Sequence, residues 1–259
     1  MPLLDDLSLF TLTIIFGIMF LSGLVHGTLG LGFPLVATPI LALLIDVRSA
    51  VLITLLPTIS VNVVSILRGG RWRESIGTFW PLAVYAVIGS VIGTTVLIVS
   101  DPRPFKLLLA ALIFLYLGAS RLGALKLHWI ATHANWSMLL FGLIAGLAAG
   151  TTNVMVPILI VYSLELGLST IAMVQVFNMC FLAGKISQMA TFSGAGVLGS
   201  GLLTSTAPLA GVAILALIFG MIIRDRFPTE SYRRIVKRIL FVIAIVLVAQ
   251  FFMQADTSV

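Results

Sequence analysis

Three polar side chains interrupt one long apolar stretch. Gln175, Asn178 and Lys185 fall within an arc of about 80° when projected at helical spacing. A second stretch, in the first half of the chain, carries Thr58, Asn62 and Ser65 within an arc of about 60° and ends at Arg68. Hydroxyls, amides and one cation are the groups that would hold an oxyanion. A lysine is costly in hydrocarbon, so an intramembrane lysine is a functional candidate by default. Lys185 also lies in the outer third of its segment, where snorkelling to the interface would explain it. Gln175 and Asn178 are equally suited to bonding neighbouring helices. His26 titrates near neutral pH when unperturbed, and it also fits a polar packing role. Asp46, Asp101 and Glu165 stand at segment ends, so no carboxylate is placed for a proton relay across the membrane. The histidines His26, His128 and His133 are scattered, and Cys180 has no base beside it in the sequence. No enzyme, metal site or cofactor is therefore expected.

Two broken helices must position these groups. The first runs Gly23-Leu-Val-His26-Gly27-Thr-Leu-Gly30-Leu-Gly32-Phe-Pro34 and continues to Pro39. The second runs Gly142-Leu-Ile-Ala-Gly146-Leu-Ala-Ala-Gly150-Thr151-Thr152-Asn153 and continues to Pro157. Proline removes a donor and glycine weakens the helix, so each stretch predicts an unwound section between two helical pieces. Freed N–H groups at the second piece favour an anion. Thr151, Thr152 and Asn153 can donate to a ligand or cap the helix that follows. Backbone without partners cannot face lipid, so such breaks line a cavity enclosed by protein. Paired breaks at matching places in two halves point to a transport site. Small residues four apart also serve close helix packing, and Gly89 and Gly93 are read that way.

With these breaks the chain resembles the TauE/SafE family of bacterial anion transporters, whose members repeat a G-x-x-G-x-G-G-G pattern followed by an apolar stretch and proline. Gly27, Gly30, Gly32 and Pro39 fit the first copy, with Phe33 and Pro34 in place of two glycines. Gly146, Gly150 and Pro157 fit the second with one residue missing, and Thr151-Thr152-Asn153 replace its glycine run. The resemblance implies movement of sulfite, organosulfonates such as sulfoacetate, or related small anions across the bacterial inner membrane, commonly as export. Import or a channel for the same anions, and a scaffold that transports nothing, are the alternative readings.

The surrounding elements are those of a polytopic helical membrane protein. Hydrophobic residues make up 60% of the chain and charged residues 9%, against about a quarter charged in soluble domains. Apolar segments are expected at about 8–29, 33–45, 50–67, 77–99 and 104–120 in the first half. The second half gives about 136–150, 154–164, 168–191, 201–223 and 239–254. The second segment of each set is short. The expected fold is thus all-α, with two inverted five-segment repeats, eight full spans and two short ones. The repeats cover residues 1–122 and 135–259, with a cytoplasmic linker at 123–134.

Loop charge decides the topology. Arg68, Arg71 and Arg73 follow the third segment, Arg121 and Lys126 lie between the halves, and Arg224, Arg226, Arg233, Arg234, Lys237 and Arg238 precede the last. If both short segments cross, all three clusters face the cytoplasm, with Arg48, Arg103 and Lys106 outside. Both chain ends, with Asp5, Asp6 and Asp256, then face the periplasm. The first segment lacks the basic start of a signal peptide and is read as retained. The net charge of +6 is a topology signal, and no nucleic acid is expected. The expected partners are a small anion and the lipid bilayer, with a homodimer open. One charge crossing the membrane gains about 2.3 kcal/mol per 100 mV, so an inside-negative cell would drive anion export without a coupled ion.

Overall fold

The computed structural model describes residues 8–70, 72–122, 127, 129–224 and 229–256. Asp5, Asp6, Arg71, Arg226 and residues 123–126 and 128 of the linker at 123–134, Lys126 and His128 among them, lie outside the described residues. In the first half the helices are α1 (Leu9–Leu29), α2 (Phe33–Leu44), α3 (Val47–Ile53), α4 (Leu55–Arg68), α5 (Trp72–Val99) and α6 (Pro104–Leu122). A short α7 (Trp129–Thr132) precedes α8 (Ala134–Thr152), α9 (Val156–Glu165), α10 (Thr170–Gly194), α11 (Ser200–Arg224) and α12 (Thr229–Asp256). Ser8, Asp46 and Ser169 open α1, α3 and α10, each accepting a hydrogen bond from the backbone N–H three residues on.

Among the described residues six helices are long and apolar enough to cross a membrane, and the α3–α4 pair, bent by 47°, is a seventh if it is one broken span. The third segment, expected to be continuous, is therefore two helices. Pro57 has no N–H to bond back across Thr54, and Thr54 turns its hydroxyl onto Ala50 O and Val51 O. Phe33–Leu44, Pro104–Ala119 and Val156–Glu165 are shorter apolar helices. The last basic cluster is not a loop: Arg233, Arg234, Lys237 and Arg238 lie within α12. Arg48 is spent on the end of α5, donating to Leu97 O at 2.9 Å and Ser100 O at 2.6 Å.

Both glycine-rich stretches are broken where expected. Gly30 takes φ 79° and returns its N–H to His26 O at 2.7 Å, which stops α1. Gly32, at φ 108°, then starts α2, with Pro34 in the first turn. In the second copy Asn153 takes φ 65° and returns its N–H to Ala149 O at 2.9 Å, and α9 begins with Pro157 in its first turn. Asn153 is the one non-glycine with positive φ among the described residues. Asparagine is among the few side chains that tolerate this conformation. By place in the helix, then, Asn153 matches Gly30 and Pro157 matches Pro34. The expected pairing of Pro157 with Pro39 is off register, because Pro39 lies inside α2.

The helices cross on their glycines. A Cβ on Gly27 would sit 2.1 Å from Leu217 O, and one on Gly220 would sit 2.4 Å from Leu24 O, so α1 and α11 touch backbone to backbone. On α5 and α8 the equivalent distances are 2.1 Å from Gly146 to Ala86 O and 2.2 Å from Gly89 to Leu143 O. Large apolar side chains such as Leu215, Phe219, Phe241 and Val242 lie on the outside. His26, Asn62, Asn153, Gln175, Asn178, Lys185 and Gln188 are buried. An apolar exterior around a polar interior is what a lipid solvent selects.

Candidate functional site

The polar stripe of α4 faces inward. Thr58 donates to Thr54 O at 2.6 Å, and the Asn62 amide donates to Thr58 O at 2.7 Å. One turn further on, Ser65 meets the His26 ring of α1, Oγ to Nε2, at 3.0 Å. The other ring nitrogen, Nδ1, accepts the N–H of Phe33 at 3.3 Å. Phe33 is the first residue of α2, and its N–H has no partner within that helix. Since Nδ1 accepts, the proton of the neutral ring is on Nε2, which donates to Ser65 Oγ. His26 thus holds the first break together.

The stripe of α10 packs against that of α4. Asn178 Nδ2 donates to Gly30 O at 3.2 Å, tying α10 to the first break. Gln175 Nε2 reaches Ile66 O at 3.4 Å and Gly70 O at 3.3 Å, at the end of α4. Its amide fills the place where a Cβ on Gly69 would stand. Further along α10, Lys185 Nζ donates to Gln188 Oε1, and Gln188 Nε2 donates to Gly150 O at 2.9 Å, at the second break. Asn153 Nδ2 bonds Thr38 Oγ1 at 2.8 Å and Thr54 Oγ1 at 2.9 Å, closing that end of α4. The result is a polar seam between α4 and α10, with a helix break at each end. The side-chain carbonyl oxygens of Asn62, Asn153, Gln175 and Asn178 are buried in it without partners.

Most of the expected site residues meet at this seam. They are His26, Gly30, Thr58, Asn62, Ser65, Gly150, Asn153, Gln175, Asn178 and Lys185. Gly32, Pro34 and Pro157 shape the breaks, and Pro39 is buried within α2. Gly27 and Gly146 sit in the helix crossings, and Gly150 also presses on Ser90 and Thr94 of α5. Thr151 and Thr152 donate to Leu147 O and Ala148 O of their own helix, and neither caps α9. Lys185 is only 1% exposed, which rules out snorkelling. Gly89 and Gly93 serve packing, as expected. Gln188 lies three residues after Lys185 on a neighbouring face, a spacing that sequence alone offers. Nothing in the sequence pointed to Thr38 or Thr54.

A cavity of about 590 Å³ opens on one end of the seam. Gly30, Ser65 and Gln175 form its floor, and Arg68, Arg224 and Arg233 stand around it. A second hollow, of about 460 Å³, lies at the opposite end of α5 and contains Asp46, Asp101, Arg103, Lys106 and Gln250. It carries both charge signs and shares no residue with the seam.

The family model described as "Sulfite exporter TauE/SafE" matches residues 15–247, a stretch that includes the whole seam and the arginine-lined cavity. No curated protein and no solved structure matches the chain significantly.

Proposed function

The chain belongs to the TauE/SafE sulfite exporter family of multi-pass membrane transporters, and on that footing we propose that it exports a small oxyanion across the bacterial inner membrane by alternating access. Sulfite, an organosulfonate such as sulfoacetate, or a related organic anion is the substrate. The observation that carries this reading is the buried α4–α10 seam opening onto a vestibule with three arginines. Cations at the mouth gather anions, and the hydroxyl and amide groups beyond replace part of their hydration. The Thr38–Asn153–Thr54 contacts tie the far end of the seam together, which supports a carrier open to one side over a channel.

The directions of the helices support two inverted repeats. Thr28 to Gly30 of α1, Arg68 of α4 and Arg224 of α11 all end at the vestibule, where Thr170 begins α10. Helix α5 begins there too, just after Gly70. Helix α8 advances in step with α5, since Gly142, Gly146 and Gly150 face Leu82, Ala86 and Ser90 in turn. On this reading α1 and α8 run opposite ways. The reciprocal crossings, Gly27 and Gly220 in one pair and Gly146 and Gly89 in the other, fit the same two-fold relation. The arginine-rich mouth then faces the cytoplasm and the chain ends face the periplasm.

The test is flux in proteoliposomes loaded with labelled sulfite, sulfoacetate or acetate, with the membrane potential clamped in each sign. Saturable flux of the sulfur oxyanions is expected. No flux of any of them from folded protein removes the assignment.

A further inference from the structure

Lys185 is a buried amine without an acid to face it. Its recorded partner is the neutral Gln188 amide, which is itself held by Gly150 O at the second break. Helices α4, α5, α8 and α9 pack against α10. The acids on them are Glu74, in the first turn of α5, and Glu165, the last residue of α9. On α5 it is Ser90 that lies beside Gly184, about 24 Å of helix beyond Glu74. On α9 the near end is Val156, and Glu165 is about 14 Å further along. Helix α8 has no titratable side chain. The other titratable groups on these helices, on α1 and on α10 itself are Arg68, Arg73, Tyr85, Tyr162, His26 and Cys180, none of which supplies a negative charge as a neutral or cationic group. An ammonium in such a place would be a desolvated charge with no counter-charge, the most expensive state a lysine can take.

We infer that Lys185 couples transport to protons: it stands as an uncharged amine in the empty seam and takes up one proton together with each arriving anion. The proton passes from water to the Nζ lone pair as the anion enters, and the ammonium and the anion form a pair with no net charge. When the seam opens to the other side, the anion and the proton leave together and the amine returns empty. Gln188 Oε1 accepts from Nζ in both forms, which keeps the amine at the break throughout. The inference rests on the carrier reading above and adds its coupling ion. It also changes the expected driving force, because a monoanion moving with one proton carries no net charge. The membrane potential then gives no push; the anion and acid gradients together set the direction, and export proceeds when the outward anion gradient exceeds the inward proton gradient.

The chain has four lysines, Lys106, Lys126, Lys185 and Lys237, so lysine labelled with ¹⁵N at Nζ gives few signals in a solid-state NMR spectrum of bilayer samples. In the empty protein at neutral pH one amine signal is expected, absent from both Lys185→Met and Lys185→Arg. Saturating methanesulfonate, a monoanion at any working pH, should turn it into an ammonium signal. In proteoliposomes, methanesulfonate flux should carry one proton per anion, read by a trapped pH dye, and should not respond to a clamped potential. Lys185→Arg keeps its charge when empty, so anion exchange should persist while net flux is lost; a merely structural lysine would not separate the two. Four ammonium signals in the empty protein, or one negative charge moved per methanesulfonate without acid movement, overturns the coupling alone. Absence of flux for sulfite, sulfoacetate and methanesulfonate overturns the carrier reading and the coupling together.

Discussion

Replacing Gln175 with alanine should loosen the seam on its vestibule side. The Gln175 amide joins the start of α10 to the end of α4 through bonds of 3.4 Å to Ile66 O and 3.3 Å to Gly70 O. Interhelical hydrogen bonds in membranes average about 0.6 kcal/mol each, so losing both costs about 1.2 kcal/mol. That is about an eightfold rise in the population of the open form. The probe is a cysteine at Thr58, buried about 12 Å up α4 from Ile66, in a background where Cys180 is replaced by alanine. A charged thiol reagent added from the vestibule side should label Thr58→Cys about eight times faster once Gln175 is alanine. Gly69→Ala offers an independent check. Its new Cβ would meet the Gln175 amide carbon at 2.2 Å, so it should speed labelling when Gln175 is present and add nothing when it is absent. Equal labelling rates with and without Gln175 would refute the latch.

The helix crossings and the vestibule give two further expectations. Gly27→Ala would place a methyl 2.1 Å from Leu217 O, and overpacking against a fixed backbone costs about 1–3 kcal/mol. Gly17→Ala meets nothing within 4 Å and should be neutral or stabilising by up to about 1 kcal/mol. Thermal unfolding in one detergent should separate the two variants, and equal midpoints would refute the close crossing. On the carrier reading Arg68, exposed at the vestibule mouth, acts on anions at long range. Arg68→Gln should slow anion uptake on the order of a few-fold at low salt, with the difference gone near 1 M salt, where screening reaches about 3 Å. A difference that persists at high salt would mean that Arg68 binds the anion directly.

Much of the site was legible in the chain because its signals are local. The Gln175–Asn178–Lys185 and Thr58–Asn62–Ser65 stripes follow from helical spacing alone, and both proved to line one seam. The breaks at Gly30–Pro34 and Asn153–Pro157 follow from backbone preferences a few residues long. Roles that depend on a partner could not be read this way. Gly27 and Gly146 look like members of the breaks but spend their missing Cβ on α11 and α5. Thr151 and Thr152 look like ligand donors but satisfy their own helix. Asn153 broke the glycine pattern in sequence, yet its backbone angle makes it the counterpart of Gly30.

The order of apolar segments, their two interruptions and the polar faces were settled by sequence, because hydropathy, glycine, proline and a 3.6-residue period act within a few turns. Which face meets which was decided by tertiary packing. It set α4 against α10, left Lys185 among helices whose only acids stand at distant ends, and gathered Arg68, Arg224 and Arg233 at one mouth. The Gln175 contacts that join α10 to the end of α4 link residues more than 100 positions apart, and no local preference encodes a neighbour at that range.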